Sequence, residues 1–199
     1  MINHIQIINS LYGRFFKLFY GSSFKYLGNR SYIVFPVAIE GSENIHVGDN
    51  SYIAAGTCLA AVPLTNLECN LHIGSGCSIG RYNHIYATHS VTIGCNVLTA
   101  NGVYISDNLH DYRNPEIPIL RQPIIQNGDV VIGEGSWIGH NACILGVKIG
   151  KQCIIGANSV VTKDIPDYSV VIGAPAIIIK RFNTFDGVWM LTNPDGTFQ

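Results

Sequence analysis

The chain has 199 residues, with Lys+Arg 12 against Asp+Glu 13, 13% charged residues, 47% hydrophobic residues and 21 glycines. So little charge with so much glycine excludes disorder, coiled coil and collagen. The net charge of -1 supplies no basic field for a nucleic-acid backbone, so DNA and RNA are excluded as expected partners.

Residues 1–39 contain Arg14, Lys17, Lys25 and Arg30 and no acid, the first being Glu40. Phe15, Phe16, Phe19, Tyr20, Phe24 and Tyr26 are interleaved with them. The segment is expected to cap one end of the core, and a sharper reading brings this basic, aromatic arm to a membrane surface or a lipid-linked glycan. Arg14 and Lys17 interrupt the aromatic stretch, so no secretory signal is expected. The longest apolar runs, 31–39 and 170–179, are too short to cross a bilayer. A cytoplasmic protein is the expectation, with the inner face of the membrane as the alternative location. The six cysteines include no CxxC pair and suggest neither a disulfide framework nor a zinc knuckle.

From residue 47 onward an aliphatic residue followed by a small one returns every six positions. Val47-Gly48, Ile53-Ala54 and Leu59-Ala60 open the pattern; Ile73-Gly74, Ile79-Gly80 and Ile85 continue it, then Ile93-Gly94, Thr99-Ala100 and Ile105. It resumes with Ile132-Gly133, Ile138-Gly139 and Ile144, and with Ile149-Gly150, Ile155-Gly156 and Val161. Four residues after each aliphatic a mostly small side chain recurs, as at Ser51, Thr57, Cys77, Ser136 and Ser159, a second inward position. Six residues make one short strand and one corner, and three such faces close a triangular coil that pairs with the next at about 4.8 Å. The expected fold is therefore all-β, a parallel β-helix over 40–181, with a capping segment at 1–39 and a tail at 182–199. Two interruptions break it, one between Ala60 and His72 and a longer loop at 106–129. The Ile144-Leu-Gly-Val147 stretch shortens one coil, which implies a tightened corner. A long loop inside a compact solenoid is usually functional.

The hexads resemble those of the hexapeptide-repeat acyltransferases, and the chain looks most like their sugar O-acetyltransferases, the group of maltose and galactoside O-acetyltransferases and of enzymes that decorate bacterial surface polysaccharides. The segments that carry the likeness are Ser106-Asp-Asn-Leu-His110, Ser136-Trp-Ile-Gly139, the run from Ile155 to Pro166, and Gly173-Ala-Pro-Ala176. The resemblance implies a left-handed β-helix, a homotrimer with active sites between adjacent chains, and acetyl-CoA as co-substrate without a metal. It places His110 at the catalytic histidine, taking the proton of a sugar hydroxyl. Asp107, Asp111 and Glu116 are the nearby carboxylates that could orient it. Asn83, Asp107, Asn108 and Tyr112 are candidate sugar contacts, although gap-free alignment puts Gly80 where relatives carry an asparagine. Ala100, Gly139, Ala157, Thr162 and Lys163 are expected along the coenzyme arm, Lys180 and Arg181 at its phosphates, and Ile177 stands where some relatives have an arginine. His140 lies where the thiol arm would pass.

Other readings remain at this stage. The same chemistry could act on an amino sugar or an antibiotic. His84 and His89 loosely resemble part of the three-histidine zinc site of the gamma-class carbonic anhydrases, with a different order. A non-catalytic scaffold would also use these hexads.

Overall fold

The computed structural model describes residues 4–65 and 68–199. Residues 1–3 of the expected cap and residues 66 and 67 of the first interruption lie outside the described residues. The backbone winds through three parallel stacks of short strands, the faces of a triangular prism. Face A runs through Tyr26–Leu27, Ile45–Val47, Asn70–Ile73, Ser90–Ile93, Val130–Ile132 and Lys148–Ile149. Face B holds Tyr32–Ile33, Tyr52–Ile53, Ser78–Ile79, Leu98–Thr99, Trp137–Ile138, Ile154–Ile155 and Ser169–Gly173. Face C holds Ala38–Glu40, Cys58–Ala61, His84–Ala87, Tyr104–Ser106, Cys143–Leu145 and Val160–Val161.

The hexad aliphatics stack in register along the axis. On face A, Leu27 pairs with Val47, Val47 with Ile73, Ile73 with Ile93, Ile93 with Ile132 and Ile132 with Ile149. All of these are buried, as are the matching residues of the other faces except the half-buried Ile39 of the first coil, and each fully buried Ile contributes about 2 kcal/mol from area removed from water. The second inward position is polar for a reason the spacing alone does not reveal. Ser51 Oγ donates to the Gly74 carbonyl (2.8 Å), Thr57 Oγ1 to Gly80 (3.0 Å) and Ser136 Oγ to Gly150 (3.1 Å). A small donor there satisfies a corner carbonyl of the next coil that would otherwise be orphaned inside the prism. Glycine is required where coils touch: a Cβ on Gly133 would lie 2.4 Å from the backbone of Gly150.

Two corners hold the six-residue spacing strictly, and the third does not. From face C to face A the chain passes from Ile39 to Val47, Leu59 to Ile73, Ile85 to Ile93, Ile105 to Ile132, Ile144 to Ile149 and Val161 to Ile165. Both interruptions therefore leave from one corner. The shortened coil is closed there by Gly146 at φ 60°, whose N–H donates to the Ser106 carbonyl (2.9 Å), so the tightened corner is where it was expected.

The ends depart from the expected boundaries. The solenoid begins at Tyr26 instead of residue 40, because Leu27, Ile33 and Ile39 already form a complete coil. The cap proper is the helix α1 (His4–Tyr20), which turns Phe16 onto the core and stacks Tyr12 against Phe35 with ring centroids 3.9 Å apart. At the other end, Ala176–Asn183 and Val188–Leu191 add two antiparallel strands to face B, so the expected tail is largely sheet. Ser106 belongs to the last strand before the long loop, which starts at Asp107.

Candidate active site

The long loop is an ordered hairpin. Asn108–His110 pairs antiparallel with Ile124–Gln126, His110 standing opposite Ile124. Beyond it, Gln122 holds the loop from inside, donating to the carbonyls of Asn114 (2.9 Å) and Ile117 (2.7 Å) and accepting from the Asn114 N–H (3.3 Å). His110 is exposed, and among the described residues no group is hydrogen-bonded to its ring.

Asp107 fixes the base of the hairpin. Its carboxylate is completely buried and accepts from the backbone N–H groups of Thr88 (2.9 Å), His89 (2.8 Å) and Ser90 (2.8 Å), from the Thr88 hydroxyl (3.0 Å) and from Asn108 Nδ2 (2.9 Å). The sequence reading of Asp107 and Asn108 as sugar contacts gives way here, because both side chains are buried and engaged with each other and with the corner at 88–90. Asp107 does not orient His110 either. Asp111 turns to Arg113, which donates from Nε (2.8 Å) and Nη2 (2.6 Å) and holds the carboxyl down at about 2. Glu116 is exposed in the loop.

Asn83 is likewise removed from any acceptor. It occupies the inward position of its hexad, donating to the Ala100 carbonyl (2.8 Å) as Ser51 does to Gly74, while its Oδ1 is buried without a partner. Tyr112, in contrast, is exposed on the loop.

The two interruptions meet, with Thr65 Oγ1 donating to Gln126 Oε1 (2.8 Å) and lying 2.9 Å from the Thr88 hydroxyl oxygen. Beside them lies a cleft of about 570 Å³, lined by Lys25, Asn44, Pro63, Glu68, Cys69, Asn70, His89, Ser90 and Asp129. His89 Nδ1 is 2.8 Å from Asp129 Oδ1. Alternating amides, acids and a cation suit a polyhydroxylated ligand. Cys69 is no acyl carrier: burial pushes its thiol up to about 11, and burial also raises Cys77 and Cys153. His84 stands apart, packed among Tyr86 and Tyr104 on face C, and among the described residues no three His, Cys, Asp or Glu side chains are grouped to hold a metal.

The residues expected along the coenzyme occupy two corners. Ala100, Gly139 and Ala157 stack on the corner from face B to face C, where the Ala100 N–H donates to Ile138 and the Gly139 N–H to Ile155, each at 2.8 Å. This leaves a column of nearly bare backbone, with His140 exposed beside it. Thr162 and Lys163 lie on the variable corner instead, in a cleft of about 440 Å³ shared with Pro175, Ala176, Ile177 and Asp195. Lys180 is exposed, but Arg181 is drawn under the C-terminal strands, donating to the Gly196 carbonyl (3.2 Å) with its guanidinium 5.6 Å from the Phe198 ring centre. Its guanidinium is therefore not free for the phosphates expected of it.

Comparison with known proteins agrees with this architecture. Residues 129–163 match the model of the hexapeptide repeat of succinyl-transferase. The chain is 33% identical over 165 residues to the putative lipopolysaccharide biosynthesis O-acetyl transferase WbbJ of Escherichia coli (strain K12), covering 79% of this chain and 82% of the relative. It is 36% identical over 123 residues to the galactoside O-acetyltransferase of Lactococcus lactis subsp. lactis (strain IL1403), covering 59% of this chain and 56% of that one. Among solved structures, AntD, an N-acyltransferase from Bacillus cereus in complex with dTDP-4-amino-4,6-dideoxyglucose and coenzyme A, superposes with a TM-score of 0.70 at 21% identity, covering 85% of this chain and 90% of AntD. That likeness shows the fold.

Proposed function

The chain belongs to the hexapeptide-repeat acyltransferases and has their left-handed β-helix, and from that premise we propose that it transfers an acetyl group from acetyl-CoA to a sugar hydroxyl in bacterial surface-polysaccharide synthesis. The observation that carries the proposal is His110, exposed on a hairpin that Asp107 pins at its base and that leaves from the same corner of the prism at which the polar cleft opens. As the acceptor oxygen attacks the thioester carbonyl, the imidazole takes its proton; when the tetrahedral intermediate collapses, the coenzyme thiolate leaves and receives that proton. The cleft receives the acceptor, which Tyr112, exposed on the loop, contacts. The bare column at Ala100, Gly139 and Ala157 receives the extended pantetheine arm, and Lys163 and Lys180 meet its phosphates.

The enzyme acts as a homotrimer in the cytoplasm. Two features support a trimer. The column and the Lys163 corner lie on different edges of one chain, so only a neighbouring chain joins them into one groove. Moreover, the outward row of face B reads Leu98, Trp137, Ile154, Val170 in register, and both Leu98 and Trp137 are exposed in the single chain.

The test is release of free thiol from acetyl-CoA with a panel of mono- and oligosaccharides, wild type against His110→Ala. Acceptor-dependent release that falls by roughly two orders of magnitude or more in the variant is expected. Treating the product with mild alkali then separates an ester, which is cleaved, from an amide on an amino sugar, which is not. Release that persists in His110→Ala removes the histidine from the mechanism.

A further inference from the structure

Helix α1 is amphipathic twice over. One side is spent on the cap, with Phe16 on the core and Gly13 against Tyr32. The opposite side carries Ile7, Ile8, Leu11, Phe15, Leu18 and Phe19, which fall within about 120° of arc at 3.6 residues per turn and are each between 45% and 74% exposed. A helix packed on a core by one face normally presents polar residues on the other, so six large apolar side chains in one stripe mark a binding surface.

The charge around the stripe decides the occupant. Arg14 borders it on the helix and none of residues 1–39 is acidic, while Lys17 turns back to donate to the Gly28 carbonyl. Residues 1–39 carry four basic side chains and no acid whereas the remainder of the chain is net acidic, so the segment that contains the helix is positive in a nearly neutral protein. In a symmetric contact between copies the Arg14 side chains would converge with no carboxylate to meet them, which is unfavourable. An anionic bilayer surface supplies both an apolar layer at the depth of the stripe and phosphates at its rim. At 17 residues and with Arg14 and Lys17 inside it, α1 does not span; no described helix is long and apolar enough to cross a membrane.

We propose that the outward stripe of α1 lies in the headgroup region of an anionic membrane and holds the enzyme at that surface. The proposal needs no coenzyme or acceptor chemistry, so it stands or falls separately from the transferase reading.

The test is co-sedimentation of the full chain at low salt with phosphatidylcholine vesicles prepared with and without phosphatidylglycerol. Wild type is expected in the pellet with the anionic vesicles only. Leu18→Glu with Phe19→Glu should lower the bound-to-free ratio at least tenfold, and Arg14→Gln about fivefold, the effect of one basic residue at such a surface. Because these side chains are solvent-exposed, melting temperatures should match wild type, and the single change Phe15→Gln serves if the double variant does not fold. Wild type remaining in the supernatant overturns the proposal, as does pelleting insensitive to these changes. A drop in molar mass of the variants by light scattering also overturns it, showing that the stripe is covered by another copy of the chain.

Discussion

Replacing Asp107 tests whether the hairpin is held from its base. The carboxylate receives three backbone N–H groups, one hydroxyl and one amide, all within 3.0 Å. In Asp107→Ala these donors lose a charged acceptor. The N–H groups of His89 and Ser90 lie in half-exposed residues and can recover water, whereas Thr88 is buried. A hydrogen bond to a charged group contributes about 1.5–3 kcal/mol, and a buried unsatisfied donor costs about 1–3 kcal/mol. With two donors left dry, the expected loss is about 3–5 kcal/mol, a fall in Tm of roughly 6–20 °C for a chain of this size. Asp107→Asn keeps the shape but turns an NH2 toward the same donors, and should lie between the two. The assay is thermal unfolding together with hydrogen exchange resolved over 88–90 and 107–127. Protection should fall in those two segments before the rest of the solenoid, and acetyl transfer should fall with it, because His110 rides on the strand that starts at Asn108. An Asp107→Ala protein melting within about one degree of wild type, with unchanged exchange at the hairpin, refutes the reasoning.

Asn83→Thr retains a donor to the Ala100 carbonyl and removes the orphaned Oδ1; stability should hold or rise and kcat should stay at the wild-type value, whereas a large loss of activity with a normal melt would return Asn83 to the acceptor site. Gly133→Ala pushes a Cβ into the Gly150 backbone and should cost about 3 kcal/mol or more, read by urea denaturation. His46 and His72 stack with ring centres 4.3 Å apart on face A. Burial first, then Lys25 for His46 and the neighbouring imidazole for His72, depresses both below the ordinary 6.5. The folded state thus binds fewer protons than the unfolded one, so this contribution is complete above about pH 6.5 and declines as pH falls from there through the folded values. Melting curves across that window should flatten in His72→Gln, and a pH dependence identical to wild type would contradict the account. Trp137→Asp places a charge in the outward row of face B and should dissociate the proposed trimer, measured by light scattering.

The solenoid was legible because its period expresses a geometric necessity: an inward aliphatic and a bare corner must recur wherever a three-sided coil stacks on itself. The first coil obeys the same rule through Leu27-Gly28, Ser31, Ile33 and Ile39, but Val34 stands after Ile33 where the corner elsewhere is Gly or Ala, which hid it inside the expected cap. Asp107 could not be assigned from spacing, since its partners at 88–90 are a coil away and are backbone atoms that any residue would offer. Asn83 was ambiguous for a related reason. Its inward register was readable, but amide side chains serve both sugars and buried carbonyls, and only the contact to Ala100 separates the two.

That both insertions gather on one corner follows from what a stacked coil tolerates. At the corner from face B to face C, a Cβ on Gly80 would lie 2.2 Å from the Ala100 carbonyl oxygen, and one on Gly139 2.6 Å from the Ala157 N–H nitrogen. An insertion there would force the following face out of register and turn its aliphatics toward water. At the variable corner an insertion merely delays the next coil, which then restarts on face A with Ile132 over Ile93 as though nothing had intervened. Residues inserted at that position are free to become a hairpin and a cleft, provided their exit is fastened to the solenoid. Asp107 at the start, and the Asn127 N–H donating to the Asp107 carbonyl (2.8 Å) at the return, close that loop within a single hydrogen-bonded ring. His110 thereby presents its ring to solvent while the strand that carries it is held by a base of buried side chains, the arrangement a positioned group needs.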